Sequence, residues 1–251
     1  MYMLVLSLGA GVQSTTLALM GENGEVEKPD FAVFADTGWE PKAVYAHLDW
    51  LETQLSFPVH RTSAGDLRGT ITENKTGHTE VPFFTVRGGM GKRQCTTNYK
   101  IRPIRRKVRE HLPKGETVRM QIGISLDEFI RMKPSRVQYI ENCWPLVDMG
   151  ITRDDCKEWM RRNHYPMPPR SSCLGCPFHA DAEWRYIRDN APEEWAATCD
   201  LDDHLRATGR FNHQQYMHRT MKPLRDVDLR TMEERGQLTF WNDECEGMCG
   251  V

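Results

Sequence analysis

Three groups of residues in this chain have the types and spacing that chemistry uses. The first is Ser7-Leu8-Gly9-Ala10-Gly11-Val12-Gln13-Ser14-Thr15, where an apolar run gives way to glycines and then to hydroxyls. Glycines let backbone approach a ligand closely. The free N–H groups and dipole at a helix start hold an anion there, and phosphate is the natural one. Ser14 and Thr15 add hydroxyl donors and are expected to cap the helix. No lysine follows a glycine, so this is not a Walker loop. A plain β–α turn is the bland alternative.

The second group is Asp36-Thr37-Gly38, which supplies an acceptor, a hydroxyl and free backbone groups at the end of an apolar strand. Asp or Thr merely capping the next helix is its bland reading. The third group is cysteine. The chain has eight, at 95, 143, 156, 173, 176, 199, 245 and 249. Cys173-Leu174-Gly175-Cys176 can aim two thiolates at one metal or form a redox pair. Cys143, Cys156 and Cys199 are isolated and read as small buried thiols.

The elements that must position these groups alternate between strand and helix. Tyr2–Ser7, Asp30–Ala35, Phe57–Arg61 and Val118–Ile124 read as strands. Ser14–Met20 and Pro41–Leu55 read as helices, the latter with Val44, Leu48 and Leu51 at 3–4 spacing. Such alternation predicts an α/β fold with a doubly wound, mostly parallel sheet and right-handed crossovers. Ligands of such sheets lie at the carboxyl ends of the strands. That rule gathers Ser7–Gly11, Asp36–Trp39 and Gly123–Asp127 on one rim.

Residues 62–94 read as a long loop region or lid. A domain over 1–165 is expected, followed by a Cys-rich helical cap and tail over 166–251. From Arg87 to Arg109 there are nine Lys or Arg and no acid. Their outward members read first as a solvated helix face, and then as an attraction for sulfate, phosphate or a nucleic-acid backbone.

At 251 residues, 39% hydrophobic and 27% charged, the chain can bury a core and is not a disordered or fibrous sequence. The net charge of −2 gives no overall pull toward nucleic acid or membrane. The start lacks a signal peptide's basic residues and cleavage site, and no apolar run is long enough to span a bilayer. A cytoplasmic protein with no membrane partner is expected, its thiols mostly reduced.

The motifs, in order, resemble the phosphoadenylyl-sulfate (PAPS) reductase and PP-loop ATP pyrophosphatase superfamily. The glycine loop is similar to the PP-loop Ser-Gly-Gly-x-Asp-Ser, with Gly11 and Ser14 fitting and Gln13 standing where that family carries Asp. Asp36-Thr37-Gly38 follows one βα unit later. Cys95 to Pro103 resembles Cys-x-x-x-x-Lys-x-x-Pro, and Gly123 to Arg131 resembles Gly-[Ile/Leu]-Arg-x-x-Glu-x-x-x-Arg. Trp144-Pro145-Leu146 precedes a helix capped by Thr152, and Cys173/Cys176 matches a Cys-x-x-Cys. The resemblance runs collinearly over residues 4–180.

It implies an adenine nucleotide, ATP or a PAPS-like compound, bound by Ser7, Gly9, Gly11, Gln13, Ser14, Thr15, Asp36, Thr37, Gly38, Gly123, Ile124, Asp127, Glu128 and Arg131. Lys100 and Arg102, with Arg131, would neutralise phosphate or sulfate. Mg²⁺ would accompany ATP cleavage, although Gln13 lacks the carboxylate that organises it. Cys95, Cys173 and Cys176 would ligate an iron–sulfur cluster, of the 4Fe-4S type. Zinc on the same thiols with His179 is the alternative. Glu244-Cys245 resembles the reductases' mobile Glu-Cys-Gly end, whose thiolate attacks sulfur, and Cys249 would resolve a disulfide or add a ligand.

Two enzymatic readings follow from the resemblance. One is sulfonucleotide reduction with Cys245 as nucleophile and a thiol reductant. The other is ATP-dependent thiolation of tRNA or DNA, with a sulfur donor protein and with the Arg87–Arg109 segment on the acceptor. A non-catalytic nucleotide-binding or zinc-stabilised regulatory module is the third, from a different class. A homodimer is left open.

Overall fold

The computed structural model describes residues 2–73, 77–86, 89–209, 211, 213–231 and 234–235. These fall into two compact units. One takes Met1–Gly65 with Thr97–Ser171, and the other takes Asp66–Thr96 with Ser172–Gly250.

The first unit is a parallel sheet with helices on both faces. In chain order it runs β1 (Met3–Leu8), α1 (Val12–Glu22), β2 (Phe31–Asp36), α2 (Lys42–Gln54) and β3 (Val59–Ser63). After the second unit's insertion come α4 (Arg102–His111), β5 (Val118–Ile122), a 3₁₀ segment (Leu126–Arg131), β6 (Ile140–Cys143), α5 (Pro145–Asp148) and α6 (Arg153–Arg162). The inserted elements α3 and β4 belong to the second unit and are given below.

The strand order is β3-β2-β1-β5-β6, parallel throughout. The fold class is therefore the doubly wound α/β architecture that the alternation implies. The order reverses between β1 and β5, whose registers meet at Ser7 and Ile122. A crevice opens at the carboxyl ends of two such strands.

The central strands β1 and β2 are apolar on both faces, as a covered parallel sheet requires. Leu6, Leu8, Ala32 and Phe34 pack with Leu17, Val44, Leu48, Leu146 and Met160 from α1, α2, α5 and α6. Val5, Val33, Val118 and Met120 pack on the opposite face with Val108 and Leu112 of α4. The turn after β6 leads through Trp144 to α6, whose expected Thr152 cap is completed as a capping box by Asp155.

The second unit contains α3 (Gly69–Thr72), β4 (Phe84–Thr85), α7 (Asp181–Asn190), α8 (Pro192–Ala207), β7 (Gln215–Tyr216) and a 3₁₀ turn (Leu224–Asp226). Of the segment read as a loop or lid over 62–94, Thr62 and Ser63 instead end β3, and the part from Asp66 onward belongs to this unit. Leu67, Ile71, Val81 and Phe83 are buried in it, and β4 pairs antiparallel with β7. The contacts divide at Ser171/Ser172 where 165/166 was expected, and Asp66–Thr96, expected inside a continuous first domain, falls in the second unit. Among the described residues no helix is long and apolar enough to cross a membrane.

Candidate functional site

The β1–α1 loop is built by one left-handed residue and one hydroxyl. Ala10 takes φ 56°, the region that only a locally fixed non-glycine accepts. Ser14 Oγ accepts from Gly9 N at 3.2 Å and donates to Gly11 O at 3.3 Å. Thr15 N closes the first helical bond to Gly11 O at 2.9 Å.

The expected capping by Ser14 and Thr15 is not what the loop uses. Gly11 is the N-cap and α1 has no side-chain cap, because Ser14 and Thr15 already lie inside the helix. Ser14 braces the loop, while the Thr15 hydroxyl meets His47 Nε2 of α2 at 3.1 Å. The first-turn N–H groups are thus left to a ligand or to water.

Other parts of the unit close on this loop. A Cβ on Gly123 would lie 2.8 Å from both N and Cα of Ser14, so only glycine lets the end of β5 lie against the start of α1. A Cβ on Gly11 would lie 3.1 Å from Ser171 Oγ, and one on Gly9 would lie 3.8 Å from it. Ser171 is a neighbour of the loop that the motifs did not reveal. Gln13 is buried; its amide nitrogen donates to Ser125 Oγ at 3.4 Å and its oxygen accepts from Arg153 Nη1 at 3.4 Å.

At the tip of β2, Asp36 Oδ1 accepts from Gly38 N at 2.8 Å and from the Tyr45 hydroxyl at 2.7 Å. Burial, and then the carboxylate, push the Tyr45 phenol above its ordinary value. Gly38 adopts φ 70°, which explains a glycine there. Thr37 Oγ1 donates to Glu40 Oε1 at 3.1 Å. Lys100 places Nζ 3.6 Å from the same oxygen. Lys100 sits on a π-helical turn, Thr96–Ile101, ahead of α4. Such turns often serve to aim a side chain. Glu40, buried beside the predicted lysine, is a second residue that sequence reasoning missed.

Beyond β5 the predicted ligand residues are engaged internally. Asp127 Oδ1 accepts the first N–H of α6, from Arg153, at 2.9 Å. Glu128 and Arg131 form an ion pair at 2.5 Å. Ile124 is buried. Arg102 is exposed on the first turn of α4.

The basic run is divided between the two units. Arg87 lies outside the described residues. Arg93 stacks over Phe178 within the second unit, with its guanidinium 5.1 Å from the ring centroid. In the first unit Arg106 donates to Ser63 O, Lys107 to Glu110, and Arg109 lies 4.4 Å over the Tyr139 ring.

The cysteine segment belongs to the second unit. Cys176 N donates to Cys173 O at 3.0 Å, and His179 N to Cys176 O at 3.1 Å, so the motif is a tight double turn. The buried His179 ring plugs it. Nε2 lies 3.0 Å from Cys173 O, Nδ1 lies 3.3 Å from Glu183 Oε2, and the ring edge meets Trp184. Both nitrogens face acceptors, so zinc on His179 would have to displace one of these contacts. Cys95, Cys173 and Cys176 are half-buried thiols of this unit. Among the described residues no three His, Cys, Asp or Glu side chains stand together in metal-holding geometry. Cys245 and Cys249 lie outside the described residues.

The isolated cysteines are inert thiols. Cys156 and Cys199 are buried and Cys143 half-buried. Burial pushes the Cys143 thiol up to about 11 and those of Cys156 and Cys199 up to about 12.

The strand order and the β1–α1 loop together decide the architecture. The fold is a Rossmann-like, doubly wound α/β sheet. Among solved structures the chain is similar to phosphoadenylyl-sulfate (PAPS) reductase from Candida auris, in its phosphate complex. Identity is 12% and the TM-score 0.46, with 66% of this chain and 74% of that chain covered. No protein-family model matches the chain. No curated protein matches it either.

Proposed function

We propose that the chain is an enzyme that binds an adenine nucleotide at the reversal between β1 and β5 and uses it in sulfur chemistry, as PAPS reductase-like proteins do. One observation carries the reading. The start of α1 is uncapped by any side chain, its loop is held open by Ala10 and Ser14, and Gly123 abuts it at the strand reversal. An uncapped helix start of this kind suits an anion, and it lies where such sheets bind ligands.

In this reading phosphates lie on Gly9–Thr15, and the adenosine lies against Asp36–Gly38 and Gly123–Ile124. Lys100, held by Glu40, supplies the nearest cation from the α4 side, with Arg102 behind it. Asp127, Glu128 and Arg131 support the rim by bracing α6 and each other. Sulfonucleotide reduction is the first choice of reaction, supported by the collinear order of the motifs. ATP-dependent thiolation is the second, favoured by the exposed cations of α4. The engagement of Gln13 with Ser125 and Arg153 favours a binding module instead, because an amide so placed does not organise Mg²⁺.

Cys95, Cys173 and Cys176, half-buried thiols of one unit, are the residues that would hold a cluster or zinc, and no step is drawn through one. Iron, zinc and sulfide analysis of the purified protein with its absorption spectrum decides that separately.

The test of the nucleotide reading is equilibrium binding of adenylyl sulfate, its 3′-phosphorylated form and ATP to the wild-type and to Lys100→Ala. Binding of at least one, weakened in the variant, is expected. No binding by any of the three to folded protein would end the reading.

A further inference from the structure

The connection from β5 to β6 exposes side chains that a solitary soluble protein has little reason to show. Phe129 is 58% and Ile130 77% exposed, on consecutive residues just past the carboxyl end of β5. Large exposed apolar side chains side by side usually mark a binding surface. Basic residues follow on the same stretch. From Phe129 to Ile140 there is no acid, and Lys133 and Arg136 are exposed.

The fold sets a second row of cations beside this stretch. Val137 and Tyr139 pack into the cluster that α4 covers, with Val108 and Leu112. Arg109 lies over Tyr139, and Arg105 precedes it by one helical turn. The acids nearest in sequence are engaged: Glu128 with Arg131, Glu110 with Lys107, and Asp127 with the Arg153 amide. Glu141, on β6, is the exposed exception.

One exposed aromatic ring beside an exposed aliphatic side chain, followed by cations, matches the chemistry of a single nucleic-acid strand. Unpaired bases stack on exposed rings with little regard to sequence, and phosphates pair with Lys and Arg. An anionic membrane would use the cations, but stacking on one ring is not what it demands. A second copy of this slightly acidic chain would not need the cation rows.

We propose that this face binds a single-stranded polynucleotide, with a base stacked on Phe129 and flanked by Ile130, and phosphates on Lys133, Arg136, Arg105 and Arg109. The inference rests on the nucleotide reading only for its purpose. Phe129 follows the same end of β5 that carries Gly123, so a strand held there would present an acceptor to the proposed nucleotide site.

The experiment measures fluorescence anisotropy of a labelled mixed-sequence single-stranded RNA, its DNA equivalent and the matching duplexes, over a salt series. The proteins are wild-type, Phe129→Ala, Lys133→Glu/Arg136→Glu, and Arg161→Glu/Arg162→Glu on α6 as a charge control. ATP and adenylyl sulfate binding are measured on the same samples.

Expected are tighter binding of single strands than of duplexes and a loss of about ten-fold in Phe129→Ala. The Lys133/Arg136 variant should lose affinity and flatten the log–log salt slope by about 1.4, at ~0.7 per phosphate contact. The α6 control should bind as wild-type does.

Equal losses in the control would overturn the proposal, as would duplex preference. So would binding of phosphatidylglycerol vesicles alone, or a dimer in sedimentation that Phe129→Ala dissociates. Adenine nucleotide binding without strand binding sinks this proposal and leaves the earlier one standing. The reverse result does the opposite.

Discussion

Gly123 meets the backbone of Ser14 so closely that a single added carbon would lie 2.8 Å from both its nitrogen and its α-carbon. The neighbour is main chain at a helix start, which cannot swing aside as a side chain can. Gly123→Ala should therefore part β5 from the β1–α1 loop, with destabilisation of about 1–3 kcal/mol from overpacking. Nucleotide affinity should fall with it. Gly9→Ala is the comparison, since its Cβ would find Ser14 Oγ at 3.7 Å and Ser171 Oγ at 3.8 Å, ordinary contacts. Urea unfolding of the two variants checks the contrast, and equal stability would refute the packing account.

Lys100 and Glu40 give a test that separates folding from binding. The Glu40 side chain is 3% exposed and that of Lys100 is 31%. Lys100→Met removes a cation from beside a nearly buried carboxylate, which should cost about 1–2 kcal/mol given the partial exposure of the ammonium. Glu40→Gln/Lys100→Met should restore stability, because both charges are gone. If Lys100 serves the nucleotide, the double variant will be stable and still bind poorly. Recovery of affinity together with stability would reduce Lys100 to a structural role.

These pairs show what the sequence could and could not reveal. β1 and β2 were legible because a parallel strand covered on both faces is apolar at nearly every position, as Leu4–Leu6 and Phe31–Ala35 are. β6 escaped because it is four residues long, at the sheet edge, with only Ile140 buried. The loop motif was legible as a glycine turn into a helix, and α1 does start there, without a side-chain cap. The role of Ser14 as an internal brace was not legible, because it depends on the left-handed turn at Ala10. Glu40, His47 and Ser171 had no local signal at all. Each gains its position from a helix or segment far away in sequence. Gln13 was visible as a departure from Asp, but its partners Ser125 and Arg153 come from other elements.

His47 makes stability depend on pH in a stated direction. Burial lowers its imidazole from the ordinary 6.5 to about 4, so the folded chain prefers the neutral ring beside Thr15. The unfolded chain takes up the proton first as pH falls. The stabilisation is therefore complete above about 6.5 and is lost between there and about 4. By pH 5 the loss from this residue is about 2 kcal/mol. Burial also lowers His218, partly opposed by Asp181, and adds in the same sense. His47→Gln keeps a hydrogen-bonding nitrogen near Thr15 without the titration. Urea melts at pH 7.5, 6 and 5 should show a shallower fall for the variant, and parallel curves would remove His47 as the cause.

Thiol labelling distinguishes the cysteines and bears on the metal question at once. Cys156 and Cys199 have thiols held near 12 by burial, so almost no thiolate exists at neutral pH. Treatment of the native protein with iodoacetamide at pH 8, followed by peptide mapping, should leave both unmodified until denaturant is added. Cys95, Cys173 and Cys176 are half-buried and accessible to the reagent. In metal-free protein they should react well ahead of the other two. If they hold a metal in the purified protein, they will be protected together and released together by a chelator, because a bound thiolate is no longer a free nucleophile. Labelling of Cys156 as fast as Cys95 would contradict the burial argument. Independent reaction of the three, unchanged by chelator, would show that they do not share a metal.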